Sequence, residues 1–129
     1  MDRLASLSLC FAVAGCAHAT PVTPAPLAAA DVASLQAALV GTCSVTATQT
    51  LGGERKTASG LSWTFSADGN ANYHLDGSSS LADFTYRIDG RNVMMTGPYK
   101  AMRVDQFDGP TMTWFLYDTS EYYYCTKRL

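Results

Sequence analysis

The chain is expected to be all-β: an antiparallel up-and-down meander of eight short strands closing as a small barrel, with one short N-terminal helix leading into it. Three observations predict this. From residue 42 onward, apolar and polar residues alternate in short runs, the pattern of strands that bury one face. The runs are separated by brief turn signals, among them Asp68-Gly69, Asp89-Gly90 and Asp108-Gly109-Pro110, so successive strands are antiparallel neighbours. The first and last runs each carry a cysteine, Cys43 and Cys125.

The chain opens with MDRLASLSLCFAVAGC over residues 1–16. Arg3, partly cancelled by Asp2, makes a minimal positive region. Residues 4–14 are apolar and small, but too few for a helix spanning a bilayer, which takes ~20 residues. The ending Val13-Ala14-Gly15-Cys16 resembles the bacterial lipobox. That resemblance implies cleavage between Gly15 and Cys16, a diacylglycerol on the Cys16 thiol and a lipidated N-terminus. Ala17, rather than Asp, after Cys16 implies by the same resemblance the periplasmic face of the bacterial outer membrane. An ordinary secretory signal cut near Ala17 or Ala19 is the alternative, because Ala17-His18-Ala19 also fits a cleavage site. Cys10 follows Leu9, which is too large for the lipobox pattern, and reads as a discarded hydrophobe. The expected organisation is a signal peptide over 1–15, a tether over 16–29 and the domain over 30–129.

In the tether, prolines among Ala and Thr favour extended polyproline-like backbone, which holds the domain off the bilayer. His18 lies there alone, without the converging ligands a zinc site requires. Residues 31–40 read as the helix, with Asp31 as N-cap, Val32, Leu35, Leu39 and Val40 on one face, and Gly41 as the stop. The strands are expected over 42–50, 61–66, 71–76, 83–88, 91–96, 99–107, 111–117 and 121–128, with 51–56 as a polar loop. A meander of eight that closes on itself leaves no exposed edge.

Leu39-Val40-Gly41-Thr42 after a helix, Ser66-Ala67-Asp68-Gly69-Asn70, and Phe84-Thr85-Tyr86-Arg87-Ile88-Asp89-Gly90 are similar to the small bacterial lipocalin-like domain. So is the aromatic last strand ending in Lys127-Arg128. In that family a Gly-x-Trp motif opens the first strand and a late Arg packs over the Trp. Here Gly41 matches, Cys43 stands where the Trp belongs, and Arg128 matches the Arg. Closure of the meander sets the first strand beside the last. Cys43 and Cys125 are then expected to form a disulfide in the oxidising compartment that export implies, a covalent clasp in place of the missing ring.

Signals for chemistry are sparse. A net charge of −2 gives no electrostatic footprint for nucleic acid. His74 sits on a polar strand face, and Asp108 and Asp118 sit in turns. No Ser/His/Asp order, phosphate loop or metal-ligand spacing appears in the sequence, so no catalytic residue, cofactor or metal is expected. The aromatic stock points to binding instead. Trp63, Phe65, Tyr73, Phe84, Tyr86 and Trp114, with Tyr123, are placed inside the barrel, as walls for a small apolar ligand or as a filled core. Met95 and Met112 add soft surface. The run Tyr122-Tyr123-Tyr124 must put at least one ring outside, either as a contact surface or under the lead-in helix. Two roles remain open: a lipid-anchored carrier of a small apolar ligand, and a protein-binding lipoprotein of inhibitor or immunity type with a filled barrel.

Overall fold

A computed structural model describes residues 23–76 and 80–128. The expectations for the signal peptide, Cys10, Cys16 and His18 fall outside the described residues. Helix α1 (Ala29–Leu39) is followed by strands β1 (Gly41–Thr50), β2 (Arg55–Thr57), β3 (Leu61–Phe65), β4 (Asn70–Leu75), β5 (Ser80–Asp89), β6 (Asn92–Met95), β7 (Ala101–Gln106), β8 (Thr111–Leu116) and β9 (Glu121–Lys127). All strand pairings are antiparallel, each strand from β3 to β8 pairs with the next, and β9 returns to pair with β1. Among the described residues this is a closed eight-stranded barrel, because β2 and β3 share one side of β1. Ala47 faces Thr57 and Ser44 faces Ser62, so two extra residues loop out between β2 and β3.

Arg55 and Lys56, expected at the end of the 51–56 loop, are joined by Thr57 in β2. They form a strand because β1 runs past the end of β3 and leaves its upper half open on that side. Ala58 N–H continues the contact by donating to Thr46 O at 2.9 Å. The seventh strand is shorter than expected: residues 96–99 form bends, and Tyr99 stands before β7 rather than in it.

The helix differs at its start. Ala28, not Asp31, occupies the N-cap, and no side chain caps it. Asp31 lies in the first turn, where a carboxylate faces the positive end of the helix dipole. Leu35 and Leu39 are buried in the barrel core, one helical turn apart on one face. At the C-terminus Val40 is already extended, and Gly41 takes φ +123°, a region that side chains with a Cβ avoid.

Lys127 Nζ donates to Ala38 O and Val40 O, satisfying carbonyls left unpaired at the helix end and setting a cation there. Arg128, expected to pack at this barrel end, instead turns outward and donates from Nε to Ser44 Oγ at 2.7 Å. Side chains alternate along a strand. Lys127 shares the register of Cys43 and so takes the inner position, while Arg128 takes the outer one.

Closure of the barrel rests on the β1–β9 ladder, from Cys43 opposite Lys127 to Thr50 opposite Glu121. The Cys43–Cys125 disulfide is present across it, with 5.6 Å between Cα atoms and 82 residues of sequence separation. Cys125 lies opposite Val45, so the bridge runs diagonally. Inner-facing Val45, Val93, Met102, Val104, Met112 and Leu116 are buried, as is Met95.

Candidate functional site

The period-two alternation carries the expected aromatics inward and the register sets them side by side. Trp63 lies opposite Tyr73, Ala71 opposite Phe84, and Trp114 opposite Tyr123. Trp63 is the hub. Its ring centroid is 5.2 Å from Tyr73, 5.8 Å from Trp114 and from Tyr99, 6.1 Å from Phe65 and from Phe84, and 6.5 Å from Tyr123. Stacked and edge-to-face pairs of this kind contribute about 0.5–1.5 kcal/mol each beyond burial.

Trp63, Phe65, Phe84 and Trp114 are buried and Tyr73 is partly buried. These residues therefore pack on one another rather than lining an open calyx. Tyr86 belongs to the other side of Phe65, 5.1 Å away edge-on, and its hydroxyl donates to Ser66 O at 2.6 Å. A surface pocket of about 280 Å³ opens beside Tyr86, between Thr85, Arg87, Met94 and Thr96.

Two features of this cluster are polar. Trp63 Nε1 and Trp114 Nε1 are buried and find no acceptor, a condition that costs about 1–3 kcal/mol per group. Three phenols then meet around Trp63. The Tyr73 and Tyr99 rings stand 5.7 Å apart, and Tyr123 stacks on Trp114 at 6.4 Å.

Burial pushes the Tyr123 phenol up to about 12, with the Glu121 carboxylate as the next cause. Burial also raises Tyr99. A raised phenol pKa favours the neutral form in the fold. The stability it contributes is complete below the ordinary value of 10.0 and is lost as pH rises toward about 12. Denaturation midpoints should therefore hold steady up to about pH 10 and fall steeply above it. Tyrosinate absorbance should show Tyr123 ionising last, only as the protein opens. A midpoint still flat at pH 12 would refute this.

Alternation puts Tyr99 at the start of a strand and does not mark it for the interior. Its segment follows Gly97-Pro98, and a Cβ at Gly97 would sit 2.8 Å from Phe84 Cβ. The absence of a side chain there lets the segment lie on Phe84. Asp118 anchors the far side, its Oδ1 accepting from Lys100 N–H at 2.9 Å and Ala101 N–H at 3.4 Å. Only tertiary packing makes Tyr99 an interior residue, and no periodicity marks it.

The tyrosine run divides as strand geometry requires: Tyr123 turns in, and Tyr122 and Tyr124 turn out. Outside, Arg55 lies 3.6 Å over the Tyr124 ring, and Tyr124 O–H donates to Gln49 Oε1 at 2.7 Å. Tyr122 packs on Phe115 at 4.8 Å, and Phe115 meets Tyr117 edge-on at 5.6 Å. Arg103 sits 5.0 Å over Phe115. It is fixed there by two hydrogen bonds to Asp105, of 2.6 and 3.0 Å, and that carboxylate raises its pKa further. Tyr117 and Leu51 are exposed. Two arginine–ring groups thus lie on this outer face, Arg55 with Tyr124 and Arg103 with Phe115 and the buried Tyr122.

His74 is partly buried beside Tyr73, on the opposite strand face. Among the described residues no group of three or more His, Cys, Asp or Glu side chains converges as a metal would need. No helix among them is long and apolar enough to cross a membrane.

The closed eight-stranded antiparallel barrel with its single helix is consistent with a lipocalin-like fold. No family model, curated protein or solved structure matches the chain.

Proposed function

We propose that the protein is a binding protein of the bacterial envelope, held by lipid on Cys16 at the periplasmic face of the outer membrane, and that it engages a protein partner through the outer face of β1, β9 and β8. The supporting observation is the two arginine–ring groups on that face, Arg55–Tyr124 and Arg103–Phe115–Tyr122. Tyr and Arg are the residue types that dominate binding energy at protein interfaces. Here the side chains are already held by stacking and by the Arg103–Asp105 pair, so little side-chain entropy remains to be lost on binding. The packed interior and the disulfide make the platform stiff.

A photo-crosslinking residue at Tyr117 should capture one partner in intact cells, and affinity for it can then be measured with purified proteins. Arg55→Ala with Tyr124→Ala should weaken binding by about thirtyfold, the effect of a hot-spot pair, while leaving the melting temperature near that of the parent. Unchanged affinity would remove this face from the interaction. Metabolic labelling with a fatty-acid analogue, lost in Cys16→Ser, tests the anchor separately.

A second reading, a small ligand held within the barrel, is favoured by one specific feature: the two buried indole N–H groups without acceptors.

A further inference from the structure

Buried donors without partners are rare in folded proteins and call for an explanation. Here there are two, Trp63 Nε1 and Trp114 Nε1, on rings 5.8 Å apart that are 1 % and 0 % exposed. Beside Trp63 stands Tyr99, with 5.8 Å between the ring centroids. It is contributed by a short connection between β6 and β7, not by a strand of the barrel wall. The connection is tied at Met95 N–H to Lys100 O, 2.8 Å, and at Lys100 N–H to Asp118 Oδ1, 2.9 Å. Tyr99 lies between those ties and is only partly buried. Of the rings around Trp63, Tyr99 is therefore the one that can leave without breaking a strand ladder.

We infer that the space Tyr99 fills is a site for a small neutral aromatic carbonyl compound, which displaces the Tyr99 ring and presents its oxygen to the indole N–H of Trp63 or Trp114. The inference rests on the second reading above, a ligand within the barrel, and names its chemistry. One ring replaces one ring, so the ligand is about the size of the phenol it displaces. The acceptor follows from the unpaired donors: a site built with buried N–H groups discriminates against an isostere that leaves them unpaired. Neutrality follows from the surroundings. A carboxylate would lose its hydration among Trp63, Phe84 and Trp114, and the carboxylates of Glu121 and Asp118 act on the same phenols, Tyr99 among them.

Three single-ring probes separate these terms. Acetophenone carries the carbonyl, α-methylstyrene has the same shape without the oxygen, and benzoate carries charge. The chain contains two tryptophans, both in the site, so each indole N–H gives one resolved proton–nitrogen NMR signal. Acetophenone should shift at least one of them downfield in a saturable way. α-Methylstyrene should bind about tenfold more weakly, the factor one hydrogen bond supplies, with no downfield shift, and benzoate should bind more weakly still.

Tyr99→Ala should tighten acetophenone binding by about tenfold, because the closed conformer no longer has to be displaced. The wild-type titrations stand whether or not that variant folds. Equal binding of acetophenone and α-methylstyrene would overturn the acceptor chemistry and leave a ligand-binding barrel. No binding of any probe would overturn both. Indole signals that are already downfield in the free protein and exchange rapidly with solvent would show that water serves these donors, and would also overturn the inference.

Discussion

Loss of the Cys43–Cys125 bridge, by reduction or by paired Cys→Ala substitution, should destabilise the barrel by about 4 kcal/mol. The bridge spans 82 residues, so it removes a large loop-closure entropy from the unfolded chain. The 5.6 Å Cα separation lies in the ordinary range for disulfides. For a domain of this size the loss corresponds to a melting temperature lower by about 20 °C.

The pair that the bridge joins is also the pair the fold finds hardest to make. Every other ladder links strands adjacent in sequence or separated only by the short β2, whereas β1 and β9 sit at opposite ends of the domain. Non-local pairing is slow and entropically costly, and the covalent link keeps those two strands within reach. Both sulfurs are buried, so the paired alanine variant also loses packing and should be somewhat less stable than the reduced protein. Urea titration with and without reductant measures the difference. A change below about 1 kcal/mol would mean that the β1–β9 hydrogen bonds alone hold the cylinder shut.

Much of this architecture could be read from residue order because its causes are local. Strand alternation assigned Trp63, Phe65, Tyr73, Phe84 and Trp114 to the interior, and the Asp-Gly turns at 68–69 and 89–90 fixed which strands are neighbours. Both are properties of a few consecutive residues. The features that were not legible depend on residues distant in the chain. Arg55–Thr57 is polar and wholly exposed, with no alternation to detect, and becomes a strand only because β1 outruns β3. Tyr99 enters the core from a bend after Gly97-Pro98, and its position depends on Phe84 and Asp118. Lys127 rather than Arg128 serves the helix end because a single step along β9 exchanges inside for outside. Even the choice between a filled and a hollow interior had no local signal. It depends on how six rings from several strands and one loop meet around Trp63.

Those contacts make Trp63→Ala the single substitution expected to damage the fold most, by about 3–5 kcal/mol. The side chain is 1 % exposed and stacks or abuts six other rings. Its neighbours come from β3, β4, β5, β8, β9 and the 96–100 connection, and the closed wall restrains them from collapsing into the void. The cost should therefore fall toward the upper part of that range, in contrast to a site where one helix can shift inward. Trp63→Phe should behave differently. It keeps most of the stacking and deletes the unpaired indole N–H, whose burial itself costs about 1–3 kcal/mol, so its net effect should be under about 1.5 kcal/mol. Chemical denaturation of the two variants separates the ring's packing from its polar atom. Should Trp63→Phe prove as damaging as Trp63→Ala, the indole N–H must be making a bond in solution, and the inference of an unsatisfied donor in the barrel would fail with it.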